Sequence, residues 1–186
     1  MAESPSQDAR FNQLFIRHRD AVWAYCYRRL RPDEVPDAVA EVFLVMWRKL
    51  NGVPGGDQTL PWLYGVARNV TRNFHRSTMR RMRLHRRLES LRDVDETTPE
   101  VHVVGLAGDR KLMEAVSSLG PLETELLRLR TWEELSLKEI AQATGMSERA
   151  VESRLARIRH KLSVKLSHPN PRHGWLSPAR REGGEQ

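Results

Sequence analysis

Between Ser147 and Arg159 the chain sets Arg149, Glu152, Ser153, Arg154 and Arg157 on one side of a helical repeat, opposite Val151, Leu155, Ile158 and Leu162 at i, i+4, i+7 and i+11. The chemistry these side chains offer is recognition. A guanidinium forks onto guanine O6 and N7 or onto a phosphate, a serine hydroxyl meets base edges or backbone, and a carboxylate accepts from cytosine N4. Residues suited to bond-making chemistry are not arranged for it. There is no Gly-rich phosphate loop and no H-E-x-x-H; His18, His75, His85, His102, His160, His168 and His173 show no ligand spacing, and the one cysteine, Cys26, makes no zinc site with them. The expectation is no catalysis, no cofactor and no metal.

The elements that must present the arginine face are two short helices and a turn within LSLKEIAQATGMSERAVESRLARIRHKL, Leu135 to Leu162. Leu137, Ile140 and Ala141 give the first helix an apolar stripe, and Gly145 supplies a turn where φ > 0 costs least. Ser147 suits the N-cap of the second helix, and Glu148 the positive end of its dipole. An amphipathic helix with an Arg-rich outer face, entered through a glycine turn, is what a helix-turn-helix lays in a major groove. A two-helix corner of an all-α protein with a solvated charged face fits the same residues.

The composition narrows the partner. Over 186 residues Lys and Arg outnumber Asp and Glu 31 to 24, a net charge of +7, which favours a polyanion. No apolar run approaches the ~20 residues of a membrane span, so nucleic acid fits better than a membrane. The start, MAESPSQDAR, lacks the basic and apolar regions of a secretory signal, and a lone cysteine suits a reducing compartment as a buried small hydrophobe. A soluble cytoplasmic protein is expected.

Residues 1–8 read as a polar leader. Phe11, Leu14, Phe15, Val22 and Tyr25 keep a 3.6 period towards Leu30, and Pro32 and Pro36 bracket a turn. Val39, Val42, Phe43, Met46 and Trp47 mark a second helix from about Asp37 to Leu50. NGVPGGDQTL is a loop, and Pro61 opens a third helix with Leu63, Ala67, Val70 and Phe74 on its core face. Arg76, Arg80, Arg81, Arg83, Arg86 and Arg87 continue that helix as a basic run, before an acidic stretch with Asp93, Asp95, Glu96 and Glu100. Residues 77–107 therefore read as an interdomain linker. Leu112, Val116 and Leu119 mark the next helix, Gly120-Pro121 breaks it, and Leu122, Leu126, Leu127 and Leu129 lead into the helix-turn-helix. Residues 168–186, rich in Pro, Gly and charge, are expected to be disordered. No strand pattern and no internal repeat appears. The expected fold is all-α, with two small helical domains at 9–76 and 108–167.

Three segments carry a more specific resemblance: DAVAEVFLVMWRKL from Asp37, PWLYGVARNVTRNFHRS from Pro61, and LGPLETELLRLRTWEELSLKEIAQATGMSERAVESRLARIRHKL from Leu119. In this order and at this separation they resemble the extracytoplasmic-function (ECF) sigma factors, group IV of the sigma-70 family of bacterial transcription initiation factors, over about residues 9–165. The resemblance implies a sigma-2 and a sigma-4 domain without a sigma-3 domain, acting as the dissociable specificity subunit of RNA polymerase.

The site residues follow from that resemblance. Ser147, Arg149, Glu152, Ser153, Arg154 and Arg157 are the implied readers of the minus-35 duplex. Glu152 stands where members often carry Lys or Arg, and contact with cytosine or pairing with Arg149 one turn back are both open to it. For melting and capture of the minus-10 strand, the implied residues are Gly56, Asp57, Trp62, Asn69, Arg72, Asn73 and Arg76, which combine cationic and aromatic contacts. Trp62 is equally a core candidate, and Asn73 stands where many members have Asp. Asp37, Glu41, Met46, Trp47 and Arg48 are the implied face for the β′ coiled coil of core polymerase. Contacts to the β flap and to an anti-sigma factor are implied by the family alone. Two other readings are a stand-alone DNA-binding regulator, which leaves the Asp37–Ser77 resemblance unexplained, and a sigma-like decoy for an anti-sigma factor, which has no need of an arginine stripe.

Overall fold

The computed structural model describes residues 6–89 and 110–167, with the side chains of 84–89, 110–111 and 167 outside the description. Residues 1–5 of the leader, 90–107 of the linker and the 168–186 tail also lie outside the described residues.

Helix α1 (Gln7–Tyr27) starts where the Ser6 hydroxyl accepts from the Ala9 N–H at 3.2 Å. It buries Val22, Tyr25 and Cys26. A 3-10 turn, Pro32–Glu34, leads straight into α2 (Val35–Arg48), so this helix starts two residues before Asp37, with Pro36 in its first turn. Two further 3-10 turns, Leu50–Gly52 and Gly56–Gln58, form the loop, pinned by Thr59 Oγ1 donating to the Pro54 carbonyl at 2.7 Å. Then α3 (Thr59–Glu89) runs for 31 residues, about 46 Å. Its first half buries Leu63, Tyr64, Ala67 and Val70 against α1 and α2. Its second half carries Arg76, Arg80, Arg81 and Arg83, all exposed, and is anchored by Thr78 Oγ1 donating to Glu34 at 3.0 Å.

The C-terminal group comprises α4 (Arg110–Ser117), α5 (Pro121–Thr131), α6 (Leu137–Thr144) and α7 (Glu148–Ser167). Ser136 and Glu139 cap α6 reciprocally: the Ser136 N–H donates to the Glu139 carboxylate at 2.7 Å, and the Glu139 N–H to Ser136 Oγ at 3.3 Å. Gly145 ends α6 at φ 72°, the left-handed conformation that glycine adopts without a Cβ penalty. The fold is all-α, and the described residues contain no strand.

The two groups share one continuous core. Helix α3 packs on α6 so closely that a Cβ added at Gly65 would stand 3.2 Å from the Ala143 carbonyl oxygen. Gln142 Nε2 also donates to the Gln58 carbonyl at 3.3 Å.

Candidate nucleic-acid interface

On α7 the periodicity resolves as expected. Val151, Leu155 and Ile158 are buried against α4, α5 and α6, which leaves Arg149, Glu152, Ser153, Arg154 and Arg157 exposed together. Ser147, exposed at the turn, caps the helix by accepting from the Ala150 N–H at 3.3 Å. Among the described residues no ion pair joins Glu152 to Arg149. The arrangement is a rigid helix, seated by three buried aliphatic side chains, that projects a mixed Arg/Ser/Glu face into solvent.

A second face forms on α3. Trp62, Asn69 and Arg76 recur every seven residues and lie almost in line, with Arg72 and Asn73 beside them. Asn69, Arg72, Asn73 and Arg76 are exposed, as are Gly56 and Asp57 in the preceding turn, where Gly56 has φ 60°. Trp62 is half-buried; it lines a cleft of about 590 Å³ with Trp47, Arg48, Lys49 and Asn51. Its ring is thus both a packing element and one wall of a basic, aromatic recess.

A third face, on α2, requires one correction. Asp37, Glu41 and Arg48 are exposed along one line, but Met46 is fully buried. At 3.6 residues per turn Met46 points about 180° away from Asp37, into the core, so it is no part of an exposed docking face. Leu44, 46% exposed between Glu41 and Arg48, occupies the position that the sequence reading gave to Met46. Trp47 sits at the margin, exposed but with its ring edge-on to Phe11 at 5.1 Å.

Sequence reasoning missed a fourth cluster, between the two groups. The Arg29 Nε donates to Glu125 at 2.9 Å, and its Nη1 donates both to Glu133 at 2.9 Å and to the Tyr25 carbonyl at 3.0 Å. Tyr25 Oη donates to Glu125 at 2.6 Å, and Arg28 Nη2 to Glu133 at 2.8 Å. The Arg29 and Glu133 side chains are 3% and 0% exposed. Burial works against the Arg29 charge, but Tyr25, Glu125 and Glu133 outweigh it and hold the guanidinium protonated. Burial likewise pushes the Tyr25 hydroxyl well up, so it stays a donor. The neighbouring Cys26 thiol is buried and pushed up to about 12, which fits the inert, packed cysteine expected. Among the described residues no group of His, Cys, Asp and Glu is placed to hold a metal ion, and no helix is long and apolar enough to cross a membrane.

A helical unit with an exposed polar and cationic strip on α3, followed by a helix-turn-helix unit with an exposed arginine face, has two separate surfaces suited to a polyanion. Comparison with known proteins supplies the family. Residues 14–81 match the model for sigma-70 region 2, and residues 109–162 the model for sigma-70 region 4. The chain is 32% identical over 177 residues to the RNA polymerase sigma factor CnrH of Cupriavidus metallidurans, covering 89% of this chain and 90% of that one. It is 31% identical over 162 residues to the RNA polymerase sigma factor NccH of Alcaligenes xylosoxydans xylosoxydans, covering 84% and 86%. Among solved structures, CnrH in complex with the cytosolic domain of CnrY superposes with a TM-score of 0.55 at 27% identity, over 87% of this chain and 89% of that one. The sigma factor RpoE of Bartonella quintana, in complex with the anti-sigma factor NepR, shares the fold with a TM-score of 0.57 at 20% identity, over 84% and 96%. The chain belongs to the sigma-70 family, in its ECF group, and is an alternative sigma factor that directs RNA polymerase to promoters.

Proposed function

We propose that the two DNA-facing surfaces divide the promoter between them. The α7 face reads the minus-35 element as duplex, with Arg149, Arg154 and Arg157 on base edges or phosphates, Ser147 and Ser153 on backbone or base edges, and Glu152 on a cytosine amine. The α3 face takes the non-template strand of the minus-10 element: Arg72 and Arg76 hold its backbone, and Trp62, Asn69, Asn73, Gly56 and Asp57 surround an unstacked base. Asp37, Glu41, Leu44, Trp47 and Arg48 on α2 dock on the β′ coiled coil of core polymerase, and residues 108–167 also meet the β flap. The domains are 9–76 and 108–167, joined by 77–107. Acting with polymerase places the protein in the cytoplasm. Bond formation belongs to the polymerase, and this chain supplies differential binding.

The observation that carries this reading is the pairing of an exposed arginine face on a seated α7 with an exposed polar and cationic strip on α3, in one chain. An anti-sigma partner is proposed because RpoE and CnrH occur bound to NepR and to the cytosolic domain of CnrY. The test is site-specific photocrosslinking in the holoenzyme. A probe at Arg154 should label minus-35 duplex and one at Arg72 the minus-10 non-template strand; the reverse pattern, or none, removes the assignment.

A further inference from the structure

We propose that the outward face of α1 is a docking seam for an acidic amphipathic helix of a second protein, other than core polymerase, that carries one cation opposite Asp20. The seam is set by spacing. Ala9, Gln13, Ile16, Asp20, Trp23 and Tyr27 follow one another at alternating steps of four and three along α1, the spacing that keeps one line in helix-on-helix packing. All six are exposed. They lie opposite the buried His18, Val22, Tyr25 and Cys26, so the packing of α1 on α2 and α3 leaves this face uncovered.

A single exposed apolar side chain is ordinary, but three in register on one helix are not. Ile16, 70% exposed, Trp23 and Tyr27 form a ridge about 16 Å long, on a helix that carries neither the DNA faces nor the α2 docking face. Two features choose what covers it. Arg17 and Arg19 are exposed on opposite flanks of the ridge, so a partner with acidic edges is favoured. Asp20 stands on the ridge itself, between Ile16 and Trp23, with its side chain 90% exposed. It meets Arg19 Nε at 3.2 Å, a pair in water that contributes little and is readily exchanged. When a helix closes over the ridge, the carboxylate loses water and needs a cation from the partner. One polar residue within an apolar seam fixes register and partner, which makes Asp20 the specificity element.

The same residues disfavour the other occupants of an apolar helix face. A second copy of α1 would bring Arg17 and Arg19 against their own kind, and its seam holds no cation for Asp20. An anionic bilayer would attract the two arginines and accept Trp23 and Tyr27, but Asp20 would enter the interface in the middle of the inserted stripe. A protein helix with apolar contact positions, acidic flanks and one central Lys or Arg satisfies every member of the seam.

The test is fluorescence anisotropy on the full chain with dye-labelled helical peptides as probes. One peptide carries Leu along its seam, Glu on both flanks and a Lys set to face Asp20. A second replaces that Lys by Glu, and a third keeps it but replaces the flanking Glu by Lys. The wild-type chain should bind the first about tenfold or more tightly than either of the others. Asp20→Lys should reverse the preference between the first and the second. Ile16→Asp combined with Trp23→Ala should weaken binding of the first about tenfold or more, with melting temperature, minus-35 binding and affinity for core polymerase unchanged. An acidic peptide can also meet the arginines of α3 and α7, so equal binding by the double variant, or no reversal with Asp20→Lys, would overturn the seam. Lost affinity for core polymerase in the double variant would overturn it too, by making the face part of the polymerase interface. So would dimerisation of the wild-type chain in sedimentation, or its binding to phosphatidylglycerol vesicles, if the double variant abolished either.

Discussion

The Arg29 guanidinium meets the Glu125 carboxylate at 2.9 Å across 96 positions of sequence, with 3% and 14% of their side chains exposed. One residue lies in the turn just after α1 and the other in the middle of α5. Arg29→Met removes the cation that Glu125 and Glu133 share, leaving Glu133 to Arg28 and Glu125 to the Tyr25 hydroxyl. Breaking a buried pair by removing one partner costs about 3–5 kcal/mol, an upper bound here because separation of the halves rehydrates both carboxylates. Calorimetry should show the wild-type melting as one transition and Arg29→Met as two. A single transition at the wild-type temperature would show that the cluster does not join the halves.

The same carboxylate gives a pH dependence. Burial pushes the Glu125 carboxyl up, but the Arg29 charge, the hydrogen bonds from Arg29 and Tyr25, and Arg128 outweigh it, so it titrates below the usual carboxylate range. A carboxyl depressed in the folded chain contributes stability that is complete above its unfolded value of about 4.3 and is lost as the pH falls through the lower folded value. Its contribution to urea unfolding should therefore be flat from about pH 7 to about pH 5 and fall away below about pH 4. Glu125→Gln should flatten that acid limb; an identical limb in the variant would exclude Glu125 as its source.

On α7, Arg154→Ala and Arg157→Ala should each weaken minus-35 duplex binding by about 1–3 kcal/mol if the contact is a bidentate base pairing. A phosphate contact would instead lower the salt dependence by about one ion with little change in sequence preference. Both side chains are exposed, so melting temperature should not move. Fluorescence anisotropy of holoenzyme on labelled duplex at several salt concentrations measures both; wild-type affinity and salt slope in both variants would take them out of the interface.

On α3, Arg72→Ala combined with Arg76→Ala should spare duplex binding and impair strand separation. Permanganate reactivity of unpaired thymines in the minus-10 element reads this directly. Normal reactivity with the double variant would move strand capture elsewhere on the domain.

Much of this was legible in the sequence where the signal is local. The apolar spacing of α7, the Gly145 turn and the Ser147 cap all arise within one or two helical turns, and the packed structure keeps them. Met46 was set on the polymerase face by the resemblance alone, although its spacing with Val39, Val42 and Phe43 already puts it on the apolar face of α2. The packing agrees with that spacing: Phe15 lies against Phe43 at 4.7 Å and Phe11 against Trp47, with Met46 turned inward and Leu44 outward. The Arg29 cluster left no periodic trace: four of its members are polar residues on α1 and α5 or just beyond them, with 96 to 105 positions between hydrogen-bonded partners across the halves. The cap of α6 was readable, since Ser136 stands three residues before Glu139.

The most direct test of a divided promoter-reading surface is run-off transcription by core polymerase on a pool of promoter fragments, with the wild-type chain, with Arg154→Ala, and with the Arg72→Ala, Arg76→Ala pair. The wild type should produce specific transcripts absent with core alone. Arg154→Ala should lose transcripts in proportion to minus-35 quality, and the α3 pair should lose them on all promoters, with rescue by templates already unpaired at minus-10. Transcripts independent of the chain, or rescue of Arg154→Ala rather than the α3 pair by the unpaired templates, would contradict the account.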